Sequence, residues 1–301
     1  MQEQITTIYC LCDDFLRAVG HRDDPQAKMT AAEVMTTALV AAALFCGNQE
    51  RSRLFLKGHG YIKGMLSKSR LNRRLHSIPE AVWQGLFALL AAVHRQMNPG
   101  QGYAVDSLPV PACDNIRIRR CRLYPCRHRA GHRAERGKAK KGGAKGRGQK
   151  AQRTDEPFWG YCASKRRYFY GLRVHLLVTT GGLPVEVMLA PGAEADVAAF
   201  KSLPLDLPAG ARVFADAGYL DDQEQALLAE AGDIALVNQR RGNCRVQLPP
   251  WVRYICLCQR KCVETVFSQV AAAFGRTIHA VTPRGFELKV YLTVLAYSIL
   301  A

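Results

Sequence analysis

The chain has 301 residues, with 42 Lys and Arg against 25 Asp and Glu, and a formal net charge of +17. An apolar share of 48% with 22% charged residues excludes wholesale disorder, and the length allows two domains with a sizeable core. The basic balance points to a polyanionic partner, nucleic acid or an anionic membrane surface. It is concentrated, however: residues 117–153 hold 15 Lys/Arg and one acid, Glu135, so the other 264 residues carry only +3.

The first residues carry no basic segment, and Asp13 and Asp14 interrupt them early, so no signal peptide is expected. The apolar runs Val34–Cys46 and Leu288–Ala301 are shorter than the roughly 20 residues needed to span a bilayer, and no membrane partner is expected. The 11 cysteines are an odd number with no secretion signal, which suggests reduced thiols in a cytoplasm. Cys121, Cys126, His128 and His132 are zinc-type ligands, but Cys-x-His is an awkward bite for one tetrahedral ion, so plain thiols and no zinc are expected.

In chain order, residues 1–98 read as an all-helical, helix-turn-helix-like DNA-binding domain. Thr30-Ala-Ala-Glu33 is a capping box opening an Ala/Leu/Val-rich helix that ends at Gly47, and Ser77-Ile-Pro-Glu80 is a second, opening a helix through Trp83, Leu86 and Val93. Between them, Leu71, Leu75 and Ile78 share one helical face while Arg70, Arg73 and Arg74 lie mostly off it. With Lys68 these form a short basic helix, either a DNA reader or a solvated basic face. Asn98-Pro99-Gly100 marks a boundary.

Residues 99–282 then read as a mixed sheet flanked by helices. Tyr103–Asp106 is a short strand; Tyr168–Thr179 and Leu183–Leu189 flank a Thr180-Gly181-Gly182 hairpin turn. Asp196 reads as the cap of a helix with Val197 and Phe200, and Asp114 as part of a turn. Arg212–Asp216 is a strand, Asp221 and Asp222 open a helix through Leu228, and Ile234–Val237 is a further strand. Gln259–Phe274 is a helix with Val263, Val266, Phe267 and Val270 on its apolar side, and 283–301 a C-terminal helix packing on the core. The stretch 127–153, rich in Lys, Arg and Gly, cannot bury enough apolar surface to offset its ordering entropy, so a disordered loop is expected there.

Three acids stand out: Asp106 and Asp216, each ending an apolar strand, and Glu264 in mid-helix among apolar residues. Carboxylates beside a core are partly desolvated and repel one another, and a divalent ion relieves both penalties. Hard oxygen ligands suit Mg²⁺ or Mn²⁺, and two such ions can act on both oxygens of a phosphodiester displacement. Taken singly, each acid reads more simply as a cap or surface residue.

Their order resembles the DDE transposases of bacterial insertion sequences, which have an RNase H-like catalytic core. The resemblance lies in Tyr103-Ala-Val-Asp106-Ser107, Val213-Phe-Ala-Asp216-Ala-Gly-Tyr219 and Arg260-Lys261-Cys-Val-Glu264-Thr-Val-Phe267-Ser268. Asp114–Arg122, Ala163–Arg173 and Ile278-His-Ala-Val-Thr are similar to the insertion-sequence 982 family, and the likeness runs over nearly the whole chain. Two features depart from that pattern: a basic insertion at about 127–157, and Ala217-Gly218 after the second acid, where a Lys is familiar.

The resemblance implies an RNase H-like DDE catalytic domain that performs metal-dependent DNA cleavage and strand transfer. Asp106, Asp216 and Glu264 would hold two Mg²⁺ (or Mn²⁺) ions. Arg117, Arg119, Arg120, Lys165, Arg166, Arg167, Arg260 and Lys261, with the basic helix, are expected to bind DNA, Arg260 and Lys261 at phosphates. Double-stranded DNA (terminal inverted repeats and target), a homodimer or larger assembly, and a bacterial cytoplasmic, nucleoid-associated setting follow. The alternatives are a catalytically inactive DNA-binding protein and a structure-selective nuclease on the same fold.

Overall fold

A computed structural model describes residues 1–114, 118, 121–124, 156–162, 166–219, 221–240, 244, 247–275 and 277–301. The loop expected at 127–153 and all but Cys121 of the zinc-type cluster lie outside the described residues. Cys121 itself is buried.

Five helices come first: α1 (Gln2–Ala18), α2 (Ala31–Leu44), α3 (Gln49–Gly58), α4 (Lys68–Ser77) and α5 (Glu80–Gln96). The apolar side of α1 repeats through Ile5, Ile8, Cys12, Phe15 and Leu16, all buried. Helix α2 is apolar all round and is buried along most of its length, which makes it the axis of this layer. Its capping box forms as expected: Thr30 Oγ1 accepts from the Glu33 N–H, and Glu33 returns the bond to the Thr30 N–H. The second box does not form. Ser77 stays in α4 and donates to the Arg74 carbonyl, while Pro79, in extended conformation, caps α5 without a side-chain bond.

The sheet follows: β1 (Gly102–Asp114), β2 (Trp159–Cys162), β3 (Arg167–Thr179), β4 (Pro184–Pro191), α6 (Asp196–Lys201), β5 (Arg212–Ala215), α7 (Asp222–Gly232), β6 (Ala235–Asn238), α8 (Pro250–Ala273) and α9 (Pro283–Leu300). The strands form one six-stranded sheet in the order β2-β3-β1-β5-β6, with β4 also paired to β3. β1 is antiparallel to β3 and parallel to β5, and β5 is parallel to β6. This is a mixed sheet flanked by helices, an RNase H-like α/β arrangement behind a helical N-terminal region. Among the described residues no single helix is long and apolar enough to cross a membrane.

Three elements differ from the expectation. β1 continues to Asp114 rather than ending at Asp106, so Asp114 closes a strand and is not a turn residue. Pro109 and Pro111 are tolerated because β5 accompanies β1 only over Gly102–Ala104, which leaves that edge without a ladder to disrupt. α8 begins at Pro250, nine residues before the expected Gln259, with the proline in the first turn where its missing N–H costs nothing. β2 is an added short strand.

Strand alternation divides the core between the two sheet faces. Ala104, Val174, Leu176 and Val178 join one apolar cluster with α1–α5, α8 and α9. Tyr103, Val105, Leu177, Val213 and Ala215 join a second with Phe200 of α6, Tyr219 and Leu236.

Candidate active site

Two carboxylates meet just past the point where the parallel pairing of β1 and β5 stops, Asp106 within β1 and Asp216 immediately after β5. β1 and β5 are in register with Ala104 opposite Phe214, and Asp106 and Asp216 each follow two residues later. Residues two apart on a strand share a face, and paired strands lie about 4.8 Å apart, so both acids are delivered to the α8 side of the sheet.

Helix α8 meets them with a buried stripe of Cys256, Arg260, Val263, Val266, Phe267 and Val270. Arg260 is 8% exposed. Its Nη2 donates to Asp106 Oδ2 at 3.1 Å and its Nη1 to Asp216 Oδ1 at 3.4 Å. The other Asp106 oxygen accepts from the Ser107 N–H at 2.8 Å. Burial pushes the Asp106 pKa up, and Asp216 adds to this; the Ser107 N–H and Arg260 oppose it without cancelling it.

Glu264 lies one turn beyond Arg260 on α8 and is exposed. Among the described residues no three His, Cys, Asp or Glu side chains gather closely enough to share one ion. Asp106 and Asp216 are brought together through Arg260, and Glu264 is not joined to them. The donor chemistry nonetheless fits a hard divalent cation. Two carboxylates from adjacent strands already converge on one cationic group, and a third stands a helical turn away.

Of the expected DNA contacts, Lys68, Arg70 and Arg73 are exposed on α4, while Arg74 is engaged internally with Asp23 Oδ1 at 3.1 Å and the Met29 carbonyl at 3.2 Å. Arg166 is exposed at a left-handed turn before β3, Arg167 is the first residue of β3, and Lys261 is exposed. Arg117, Arg119, Arg120 and Lys165 lie outside the described residues. Arg260, expected at a phosphate, instead sits inside on the two acids, because position 260 falls on the buried stripe of α8.

Sequence reasoning missed a polar cluster on the opposite sheet face, directly behind Asp106. Ser107 Oγ donates to Asp196 Oδ1 at 2.9 Å, Arg173 Nη1 donates to Ser107 Oγ at 3.2 Å and pairs with Asp196 at 3.6 Å, and His175 Nδ1 lies 3.1 Å from the Tyr219 hydroxyl. Asp196 is therefore not the cap of α6, a position held by Ala195; it is a partner of Ser107 and Arg173. The signal was present in β3, where Arg173 and His175 occupy alternate positions, and so one face, of an otherwise apolar strand.

His175 is wholly buried, and burial lowers its pKa to about 4, against a smaller upward pull from Asp196. The unfolded imidazole, with an ordinary pKa near 6.5, binds a proton that the folded one refuses. Stability from this group is therefore complete above about pH 6.5 and is lost as pH falls toward 4, by roughly 3 kcal/mol in all. Denaturant titrations from pH 4 to 7.5 should show His175→Gln losing less stability on acidification than the wild type. Parallel pH profiles would rule out this account.

Residues 98–299, about two thirds of the chain, match the family model described as Transposase DDE domain. No curated protein and no solved structure matches the chain. With two acids brought together on adjacent parallel strands of an RNase H-like sheet inside the matched region, the chain belongs to the transposase DDE domain family.

Proposed function

We propose that this chain is the transposase of a bacterial insertion sequence of the 982 type, which cuts double-stranded DNA at terminal inverted repeats and joins the freed 3′ ends to target DNA. The observation that carries the reading is the convergence of Asp106 and Asp216, each two residues beyond the paired stretch of the adjacent parallel strands β1 and β5. Asp106, Asp216 and Glu264 would hold two Mg²⁺ or Mn²⁺ ions. Ions there supply Lewis acidity and offset the charge that develops on the scissile phosphate.

The protein's own groups orient and position. The Ser107 N–H fixes one oxygen of Asp106, while the other accepts from Arg260 on the side shared with Asp216. Lys261, exposed on the same helix as Glu264, is a cation that would orient the scissile strand. The helical region 1–98 supplies Lys68, Arg70 and Arg73 as an exposed basic face for duplex DNA. The protein works as a homodimer or larger assembly on DNA, in the bacterial cytoplasm with the nucleoid.

The test is strand transfer. Purified protein, Mg²⁺ and duplex carrying the element's ends should yield joined products in a target plasmid. Nicks without joining would favour a nuclease, and binding without nicks an inactive binder.

The basic insertion allows a separate prediction. Deleting residues 127–153 should flatten the salt dependence of DNA binding while leaving preference for the terminal repeats unchanged, because phosphate contacts carry affinity but no base readout. Filter binding across a salt series reads both, and loss of sequence preference would show that the segment reads bases or shape.

A further inference from the structure

We propose that Arg260 is a built-in counter-cation that competes with the divalent ions for Asp106 and Asp216, so that ion binding must release its guanidinium. The inference rests on the metal reading above and goes beyond it.

Three observations carry it. First, the two acids each spend an oxygen on the same guanidinium, at 3.1 and 3.4 Å, so a cation already occupies the point where they converge. Second, the hold is incomplete. A guanidinium offers five N–H donors, yet Arg260 Nε is buried with no hydrogen-bond partner among the described residues. The two bonds are also longer than the ~2.8 Å common between guanidinium and carboxylate. Third, one side of the site is open: the Asp216 side chain is 48% exposed, against 10% for Arg260.

A single positive charge on two carboxylates leaves one negative charge over, and Glu264 adds another nearby. Arg260 therefore keeps the acids from repelling each other without satisfying them. A divalent cation brings twice the charge in a smaller radius and enters from the Asp216 side. Once displaced, the guanidinium lies on the same helix as Glu264 and Lys261, and a DNA phosphate is the acceptor it lacks. Ion and DNA should then strengthen each other's binding, since each favours the state in which Arg260 has left the acids.

Calorimetric titration of the full chain with Mn²⁺ tests this. Arg260→Gln should bind the ion about tenfold tighter than wild type, and Asp106→Asn should bind it weakly. Equal affinity in Arg260→Gln and wild type would overturn the competition while leaving the metal site intact. No Mn²⁺ binding by either would overturn both.

If Arg260→Gln fails to fold, the wild type supplies the measurement. Arginine modification by phenylglyoxal, read by mass spectrometry, should spare Arg260 without ion and reach it with saturating Mn²⁺. Protection that the ion leaves unchanged would overturn the proposal.

Discussion

Asp106→Asn and Asp216→Asn are each expected to lower DNA cleavage on the order of a thousandfold while changing DNA affinity only a few-fold. Lewis-acid stabilisation of a phosphoryl transition state is worth several kcal/mol, and each ~1.4 kcal/mol is tenfold in rate. DNA affinity, by contrast, is proposed to rest on cations spread over α4 and elsewhere on the chain, which these changes do not touch. Asn keeps the shape and can still accept a bond from Arg260, so folding should survive. Asp106→Ala is harsher, because it removes one of two partners of a buried guanidinium, a change that costs about 3–5 kcal/mol for buried pairs. Single-turnover cleavage gives the rate, gel shift the affinity and thermal melting the folding. A variant that cuts at the wild-type rate would remove its residue from the site.

Gly171→Ala should destabilise the protein by about 3 kcal/mol, near the upper end for overpacking, and lower Tm by roughly 6–12 °C. A Cβ at 171 would stand 2.4 Å from the Val110 carbonyl oxygen and 2.7 Å from the Ala112 nitrogen. Both are backbone atoms, so no side chain can rotate away. They lie on either side of Pro111, the partner of Gly171, and Ala112 is the unpaired residue of the irregularity between Pro111 and Cys113. Because β1 also carries Asp106, cleavage should fall with stability. Gly181→Ala, whose Cβ would meet only Thr179 Oγ1 at an ordinary 3.6 Å, is the control. A Gly171→Ala protein that melts with the wild type would show that β1 yields at the bulge without cost.

Much of this architecture is legible in the residues themselves. The Thr30–Glu33 box, the apolar run of β3 and the Gly181-Gly182 turn are local signals, written within a few positions of where they act. The Ser77–Glu80 pattern misleads because two helices compete for one serine, and α4 keeps it. The early half of α8 escapes notice because Trp251, Tyr254 and Ile255 are exposed, so no core-facing period marks it. The four residues of β2 are too short to show alternation.

The site divides in the same way. Asp106 and Asp216 are visible as acids following short apolar runs, but their pairing depends on β1 lying beside β5 across more than a hundred residues of chain. Arg260 looks like one more cation on a basic protein until the stripe of α8 turns it inward. Ser107, Arg173, His175, Asp196 and Tyr219 come from four separate segments, and only the folded sheet gathers them behind Asp106. Net charge points to a polyanion. In the proposed function the acids carry the chemistry.

The most direct test of that assignment is ion-dependent cutting. Duplex DNA bearing the element's ends should be nicked to a 3′-hydroxyl by the wild-type chain in Mg²⁺ or Mn²⁺, not in chelator, and not by Asp106→Asn under any ion. Equal nicking in chelator, or by Asp106→Asn in Mg²⁺, would contradict the account.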